Sequence, residues 1–497
     1  MLYSIFKGLK HNKYKIIFLF FLMYVKRNFY SILPILLQVS QSGRKLLEKE
    51  KNHAIKLIQK SVFKKYFRSS FDSLPNKGKE REELFKIVSN RYSEQNHKIS
   101  GTIYNNKVSL STLCNYMFNL YQYSNPLHAD LYPELIKMES EIISMIGKLF
   151  DMPNSGGGNL TTGGTESTIL AIKAYKKYKL SQSTFNFRKL EVITTKTGHA
   201  AINKACELLD LNLVYVKLNE KYQMDVDDLK KKINNRTCCV VASYPCYAYG
   251  ILDPIKEVSD ICKIYNTKLH VDACLGGFIT QFNKELKISF DIGFDSISID
   301  PHKFGYAPKG SSVLLWRENK MRHFQYFIVS DWTGGIYASP SLPGSRCGSQ
   351  IATTWAVLIS NGYNYYEMCS AQIIEMTLYL KKEINKIDTF YVLGDPNVNV
   401  VAFNSTKYPT GQIIDNLSEE GWNINILQNP QCLHLCITPY NIPKIYEFID
   451  ILKKISKQDI KCVKNSMVSI YGMASKINNT KIINDVIAGY LDLTTKN

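Results

Sequence analysis

The sequence contains no Cys-X-X-Cys pair, and its 12 cysteines are scattered without a regular spacing to histidine. Structural zinc sites and the disulfide frameworks of small secreted domains both depend on such spacings. We therefore predict no bound metal and no disulfide framework. Cys238 and Cys239 lie in an apolar run over residues 237–242 that is typical of a buried strand. Reduced thiols in a protein that faces the cytosol are the natural inference.

No uninterrupted apolar run reaches the roughly 20 residues that a spanning helix needs. The first 60 residues nevertheless differ from the rest, because apolar runs over 16–25 and 29–39 are separated by Lys26 and Arg27, and the second contains Pro34. A cleaved signal peptide, an interfacial amphipathic anchor and a buried N-terminal arm all remain open. We favour a membrane-associated segment over residues 1–60, followed by a lead-in segment over 61–115.

Acidic residues are few relative to basic ones, with 43 Asp and Glu against 62 Lys and Arg and a formal net charge of +19. A basic surface favours polyanionic partners such as phosphorylated substrates or anionic lipids. Lysine-rich stretches such as 230–232 lack the interleaved aromatic residues of a nucleic-acid platform, so we predict no nucleic-acid binding. The 497 residues, 45% of them hydrophobic, suit two or three domains with a sizeable core.

From about residue 70, short apolar runs alternate with helical stretches. Residues 190–195, 213–218, 238–244, 268–272 and 296–299 are predicted strands, and 166–179, 200–209 and 255–265 are predicted helices. This alternation predicts an α/β domain with a mostly parallel sheet, placed at 116–365. After it, a long helix near 367–387 and short strands within 391–404 and 433–438 predict a smaller α+β domain at 366–497.

A glycine-rich turn at 161–167 leads into the first of these helices and includes Gly163, Gly164 and Thr165. The N-terminus of a helix offers unpaired N–H groups and the positive end of the helix dipole to an anion. Glycine also lets the backbone approach a phosphate closely. The turn is a candidate phosphate site, although an ordinary N-capped helix would have the same local pattern.

Two further residues follow predicted strands at positions suited to cofactor chemistry. Asp272 ends one strand, where a carboxylate can keep a pyridine nitrogen protonated. Lys303 follows the next strand, 31 residues later, after His302, and a lysine there can form an imine with an aldehyde. A phosphate turn, then an aspartate, then a lysine is the layout of fold-type I pyridoxal 5'-phosphate (PLP) enzymes. His199 lies between the turn and Asp272 and is a candidate to stack on the cofactor ring.

Longer motifs resemble the group II decarboxylase superfamily and, within it, the sphingosine-1-phosphate lyase family. The resemblance extends from about residue 74 to about residue 490. Its motifs are NPLH at 125–128, GGTES at 163–167, HVDACLGGF at 270–278, HKFGYAPKGSS at 302–312, DWTGGIYASP at 331–340, GSR at 344–346 and SIYGMA at 469–474. The chain departs from the family pattern at Pro301, where the family usually has Thr, at Ala248 and at 347–349. None of these departures removes a group that performs chemistry, but Pro301 can alter the backbone beside Lys303 and so the rate.

The resemblance implies a PLP-dependent aldehyde-lyase of sphingolipid degradation. It would cleave sphingosine 1-phosphate or sphinganine 1-phosphate between C2 and C3 by retro-aldol chemistry, releasing a fatty aldehyde and phosphoethanolamine. The family also implies an endoplasmic reticulum membrane protein whose catalytic domain faces the cytosol, and a homodimer with sites at the subunit interface.

The resemblance likewise implies residue roles. Tyr104, Asn125, His128 and Lys309 would hold the substrate phosphate, and His302 would contact the cofactor phosphate. Gly344 and Ser345 would reach the cofactor phosphate of the neighbouring subunit. Tyr249 and His199 are candidates for proton transfer or ring stacking, and the base for the C3 hydroxyl stays unassigned.

Two other functions remain possible. An amino-acid decarboxylase of the same superfamily would share the turn, Asp272 and Lys303, but the segment 125–128 and Lys309 suit a phosphorylated substrate better. A non-catalytic membrane scaffold would be expected to have lost Lys303 or Asp272, and both are present.

Overall fold

The computed structural model describes residues 74–75, 77–91, 97–105, 107–182, 189–457, 484, 487–489 and 491–492. The predicted N-terminal membrane-associated segment and the SIYGMA motif therefore lie outside the described residues. The helices are α1 Arg81–Arg91, α2 Val108–Tyr121, α3 Pro133–Leu149, α4 Gly164–Ser181, α5 Ala201–Leu208, α6 Val226–Lys232, α7 Ile255–Ile264, α8 Gly277–Thr280, α9 Asn319–His323, α10 Gly348–Asn385, α11 Thr410–Glu419 and α12 Ile445–Lys457.

A seven-stranded sheet forms the centre of the larger part, in the order β1-β7-β6-β5-β4-β2-β3. Its strands are β1 Gly157–Thr161, β2 Glu191–Thr195, β3 Asn212–Val216, β4 Thr237–Ser243, β5 Lys268–Asp272, β6 Ser296–Ile299 and β7 Ser312–Trp316. Only β7 runs opposite to its neighbours. All seven residues of β4 are buried, as expected for a central parallel strand with both faces covered. The predicted α/β class with a mostly parallel sheet is confirmed.

The strands β2 to β6 coincide within one or two residues with the predicted ones, whereas β1 and β7 were not predicted. The β1 strand has weak strand propensity because it begins with Gly157 and Gly158. A Cβ at Gly158 would lie 2.7 Å from the carbonyl oxygen of Leu314 in β7. The glycine is thus required by the close approach of the neighbouring strand, which the local sequence pattern does not reveal.

The smaller part is built on a four-stranded antiparallel sheet in the order β10-β11-β13-β12, with strands β10 Phe390–Val392, β11 Val400–Ser405, β12 Asn425–Leu427 and β13 Cys432–Cys436. A separate hairpin pairs β8 Phe327–Val329 with β9 Tyr337–Ser339. The smaller C-terminal α+β unit is therefore confirmed. The exact boundary at 365/366 stays a prediction. It lies three residues beyond Gly362, whose φ of 66° and ψ of 173° interrupt α10.

The segment 97–105 joins the smaller sheet to the functional region. The Ser100 backbone N–H donates to the Asn423 carbonyl over 2.9 Å, and the Ser100 hydroxyl accepts from the Cys436 backbone N–H over 3.0 Å. These bonds fix the lead-in segment against β13 and place Tyr104 above the carboxyl ends of the central strands. The smaller sheet thereby determines where one wall of the site lies.

Candidate PLP site

The carboxyl ends of β1, β4, β5 and β6 meet at one edge of the central sheet, where a cavity of about 410 Å³ opens. Ligands in open α/β sheets bind at this edge. The predicted residues Gly163, Gly164, Thr165, His199, Asp272, His302 and Lys303 all line it. The structure therefore brings together seven residues that the sequence analysis selected from separate motifs.

Lys303 follows β6 across a short turn, and its Nζ lies 2.9 Å from Oδ2 of Asp300. Nε2 of His302 lies 3.3 Å from the same oxygen. Burial lowers the pKa of the Lys303 ammonium, but the Asp300 carboxylate outweighs this and holds that pKa above its usual range. Burial raises the pKa of Asp300, while Lys303 and His302 outweigh it and hold that pKa below its usual range. The lysine is a charged, paired amine in this state.

The phosphate turn connects β1 to α4, and the first residues of α4 line the cavity. The first N–H groups of a helix have no intrahelical acceptors. A Cβ at Gly164 would lie 2.6 Å from Sγ of Cys274 and 3.1 Å from both carboxylate oxygens of Asp300. Only glycine fits against Cys274 and Asp300 at this position, while the free N–H groups at the start of α4 are suited to an anion.

Asp272 ends β5 and reaches the cavity, with its Oδ1 accepting from the Cys274 backbone N–H over 3.1 Å. The residue behind it, His270, is fully buried, with Nδ1 2.7 Å from Oγ of Ser296 and Nε2 3.2 Å from Oγ of Ser298. Burial lowers the pKa of His270 to about 4, so it is neutral at physiological pH. Asp272 therefore stands on a rigid strand with a carboxylate directed at the cavity.

His199 also lines the cavity, and its Nδ1 accepts from the Ala201 backbone N–H over 3.1 Å. That bond fixes the ring at the start of α5. The ring faces Tyr247 edge-on, with 6.5 Å between centroids. An imidazole ring at this position is suited to stacking on a flat cofactor.

These observations fit PLP. The turn with Gly163, Gly164 and Thr165 is an anion cradle, Lys303 is a buried amine, and Asp272 is a carboxylate at a strand end. All three lie on one cavity large enough for a pyridine ring with a phosphate arm. His302 also lines it, beside the lysine.

A second cavity of about 340 Å³ shares Tyr104 and His302 with the first. It contains Lys309, whose Nζ lies 4.4 Å from the centroid of the Tyr104 ring, and Lys107. Burial, with the nearby Lys303, lowers the pKa of Lys309, and burial raises the pKa of Tyr104 above its usual range. Two cations and a phenol beside the cofactor cavity suit a phosphomonoester. Lys107 is not among the residues that the sequence motifs predict at the substrate phosphate.

Asn125, His128, Gly344 and Ser345 line neither of these two cavities. Asn125 instead holds the segment 341–347: its Nδ2 donates to Oγ of Ser345 over 3.3 Å, and its Oδ1 accepts from the Arg346 backbone N–H over 3.1 Å. His128 is exposed. Within one chain, these four residues lie apart from the cofactor cavity, and their predicted roles stay predictions.

Tyr249 also lies away from the cavity. It is 3% exposed and packs in a small cluster with Cys246 and Tyr222. The tyrosine of the same loop that lines the cavity is Tyr247. Sequence reasoning missed Tyr247, Cys274 and Asp300 as cavity residues. Their position after predicted strands was an available signal, but it could not distinguish two tyrosines that are two residues apart.

Within the described ranges, no helix is both long and apolar enough to cross a membrane. The same residues contain no group of three or more His, Cys, Asp or Glu side chains that could hold a metal ion.

Comparisons with known proteins agree with this geometry. Residues 80–406 match the pyridoxal-dependent decarboxylase conserved domain. Sphingosine-1-phosphate lyase 1 of Mus musculus is 36% identical over 468 residues, covering 90% of this chain and 82% of the relative. Sphingosine-1-phosphate lyase of Dictyostelium discoideum is 35% identical over 467 residues, covering 90% and 86%. The structure of Burkholderia pseudomallei sphingosine-1-phosphate lyase superposes with a TM-score of 0.76 at 30% identity, covering 86% of this chain and 98% of that one.

Proposed function

Because the chain belongs to the sphingosine-1-phosphate lyase family of pyridoxal-dependent enzymes, we propose that it cleaves phosphorylated sphingoid bases between C2 and C3. The products are a long-chain fatty aldehyde and phosphoethanolamine, and the reaction degrades sphingolipids. The observation that carries this proposal is the adjacency of two cavities. One holds Lys303, Asp272 and the phosphate turn, and the other holds Lys309 and shares Tyr104 with the first.

Bound PLP supplies an electron sink for the carbon–carbon bond that breaks beside the substrate amine. Lys303 provides the amine that retains the cofactor, and it can return a proton to C2 of the substrate. Asp272 would keep a proton on the ring nitrogen of bound PLP, and His199 would cover the face of the ring. Asp300 holds Lys303 as a charged amine, so the lysine would have to lose a proton before it could bond to the cofactor aldehyde.

The second cavity orients the substrate. Lys309 neutralises the phosphate, and the Tyr104 hydroxyl can donate to one of its oxygens. Because this cavity adjoins the cofactor cavity, a phosphate held there places the nearby amine-bearing carbon close to Lys303. An amino-acid substrate without a phosphate would leave Lys107 and Lys309 without an anionic partner in this cavity, which favours a lyase over a decarboxylase.

The decisive experiment incubates purified protein with PLP and sphinganine 1-phosphate and measures fatty aldehyde and phosphoethanolamine. Wild type should form both in equal amounts, and Lys303→Ala should form neither. The same samples are supplied with glutamate and aromatic amino acids. Carbon dioxide released from these, without aldehyde from the lipid, would replace the lyase assignment with a decarboxylase.

We also propose a homodimer whose sites need both subunits. Support comes from Gly344 and Ser345, which the resemblance to the family leads us to expect at the neighbour's cofactor and which lie outside the cofactor cavity of their own chain. Mixing inactive Lys303→Ala with inactive Gly344→Trp tests this. Heterodimers should recover activity, because one of their two sites combines an intact lysine with an intact glycine. No recovery, with subunit exchange verified by native mass spectrometry, would contradict a shared site.

For localisation, we propose the endoplasmic reticulum membrane with the catalytic domain on the cytosolic side. The support is the family and the two apolar runs at 16–25 and 29–39. A fluorescent fusion should co-localise with reticulum markers and stay accessible to protease in cells with a permeabilised plasma membrane. A diffuse cytosolic signal would contradict membrane attachment, and a protected signal would contradict the orientation.

A further inference from the structure

Glu166 is a buried carboxylate, 5% exposed, in the first turn of α4. It lines the cofactor cavity and also a third cavity of about 270 Å³ on the side of the segment 341–347. Its Oε2 accepts from both the backbone N–H of Thr162, over 2.8 Å, and the Thr162 hydroxyl, over 2.6 Å. Its Oε1 accepts from the backbone N–H of Leu342 over 2.8 Å. One side chain thus joins the phosphate turn to a segment 176 positions further along the chain.

A second carboxylate makes a parallel connection next to it. Oε1 of Glu139 in α3 accepts from the Leu160 backbone N–H in β1 over 3.0 Å and from Nη1 of Arg346 over 2.7 Å. Glu139 therefore connects Leu160 with Arg346. Glu166 connects Thr162 with Leu342. The difference between them is that Glu166 bonds the phosphate turn itself, whereas Glu139 bonds the strand before it.

We propose that Glu166 is a positioning residue that makes the phosphate turn and the segment 341–347 respond to the cofactor as one unit. When a phosphate orders the turn, the Glu166 carboxylate transmits that order to Leu342. The segment carries Gly344 and Ser345, the residues that the proposed dimer directs to the neighbouring subunit. The link therefore lets a filled site prepare the segment that completes the other site.

The chemistry requires a carboxylate at this position. Both oxygens accept from backbone N–H groups, so each must be an acceptor. The amide of glutamine has only one acceptor oxygen, and its NH₂ group would face either the Thr162 N–H or the Leu342 N–H as donor to donor. A buried donor that loses its acceptor is left with neither a protein nor a water partner, so glutamine cannot keep both connections.

Hydrogen exchange of the full-length protein, followed by mass spectrometry with and without PLP, tests the link. In wild type, PLP should slow exchange in peptides covering both 161–167 and 340–347. In Glu166→Gln, PLP should slow exchange at 161–167 only, and the affinity for PLP measured by imine absorbance should fall about tenfold. The assay uses no substrate, so it does not depend on whether the protein cleaves sphingoid-base phosphates.

Glu191→Gln is the matched control, because Glu191 is also 5% exposed and accepts from Nδ2 of Asn234 over 2.8 Å and pairs with Nη2 of Arg236 over 2.6 Å. It starts β2, at the opposite edge of the sheet from the cofactor. This variant should match wild type in both peptides. Glu139→Gln should speed exchange at 340–347 with and without PLP, while PLP still slows it.

Two results would overturn the proposal. One is a Glu166→Gln protein in which PLP still slows exchange at 340–347 as in wild type. The other is a wild-type protein in which PLP affects the turn alone. If Glu166→Gln does not fold by circular dichroism, Glu166→Asp serves the same purpose. It keeps the charge but is one methylene too short to bond both Thr162 and Leu342, so the same loss of coupling is expected.

Discussion

Nζ of Lys303 lies 2.9 Å from Oδ2 of Asp300, a carboxylate that is only 2% exposed. The other oxygen of Asp300, Oδ1, is buried without a hydrogen-bond partner among the described residues. The pair keeps the amine protonated, whereas attack on an aldehyde needs a neutral amine. Asp300 therefore lowers the reactivity of the Lys303 amine toward an aldehyde.

Removing this charge should change how the lysine titrates. In Asp300→Asn, burial is left without its opposing carboxylate, so the pKa of Lys303 should fall. We expect imine formation with added PLP to become faster at neutral pH and its pH profile to move to lower pH, followed by imine absorbance. Asp295→Asn is the control. Oδ1 of Asp295 lies 2.8 Å from Nζ of Lys268, which starts β5 at the end away from the cavity, so this change should leave the pH profile unchanged. An unaltered profile in Asp300→Asn would contradict this account.

The two tyrosines of one loop, Tyr247 and Tyr249, should differ sharply in how much their change to phenylalanine lowers kcat. Tyr247 lines the cofactor cavity, whereas Tyr249 is packed among apolar side chains. We expect the Tyr247 hydroxyl to take part in proton transfer, so Tyr247→Phe should lower kcat about 100-fold with the cofactor absorbance preserved. Tyr249→Phe should stay within a few-fold of wild type. The opposite ranking would mean that the loop rearranges when substrate binds.

Lys309 should determine recognition of the phosphate. Loss of one charge-assisted hydrogen bond costs about 1.5–3 kcal/mol, so Lys309→Ala should lower kcat/KM about 10- to 100-fold. Inorganic phosphate should inhibit wild type competitively and inhibit this variant much less. Lys256 is an exposed lysine on α7 that pairs with Asp260, and Lys256→Ala is the control for a simple change in net charge. Equal losses of kcat/KM in both variants would show that Lys309 acts only through the net charge of the protein.

Replacing each of the two glycines of the turn by alanine should have very different effects on stability. A Cβ at Gly164 would lie 2.6 Å from Cys274 Sγ, whereas one at Gly163 would lie 3.7 Å from Cε1 of His302, an ordinary contact. Gly164→Ala should destabilise the apoprotein by about 1–3 kcal/mol. Gly163→Ala should stay close to wild type in urea unfolding. Similar stabilities of the two variants would show that the chain relaxes around Gly164.

Acid should destabilise the protein through two buried histidines. Burial lowers the pKa of His270 and that of His434 to about 4 each, from a usual value of 6.5. A depressed folded-state pKa gives stability that is present above pH 6.5 and is lost as the pH falls through 4. Each histidine should contribute about 3 kcal/mol to this loss.

The test is urea unfolding between pH 7 and pH 4. In His434, Nδ1 donates to the Ala248 carbonyl over 2.9 Å, and Nε2 can accept from Nδ2 of Asn425 over 3.1 Å, so protonation leaves two donors face to face. His434→Gln should therefore lose less stability than wild type over this range. The exposed His323 is the control, and His323→Gln should lose as much as wild type. A His434→Gln slope equal to that of wild type would contradict a neutral buried imidazole.

Much of the fold was predictable because its signals are local. Buried parallel strands are short apolar runs, so β2 to β6 were found within one or two residues. The β1 strand was missed because Gly157 and Gly158 weaken its strand pattern, and the glycine at 158 is explained only by the close backbone of β7. The long helix α10 begins at Gly348, before the predicted start near 367. Residues 348–358 are almost all buried, so this part of the helix lacks the polar face that marks an amphipathic helix.

The sequence by itself determined the chemistry, because Gly163, Gly164, Asp272 and Lys303 each stand in a motif whose residue types and order have a direct chemical meaning. Only the tertiary structure decided which side chains share a cavity. It placed Tyr247 at the cofactor and Tyr249 in an apolar cluster, and it paired Asp300 with Lys303. It also turned Asn125 toward Ser345. The physical reason is that strand order, and not sequence order, sets which loops meet at one edge of a sheet, and the backbone path within each loop then sets which side chains face it.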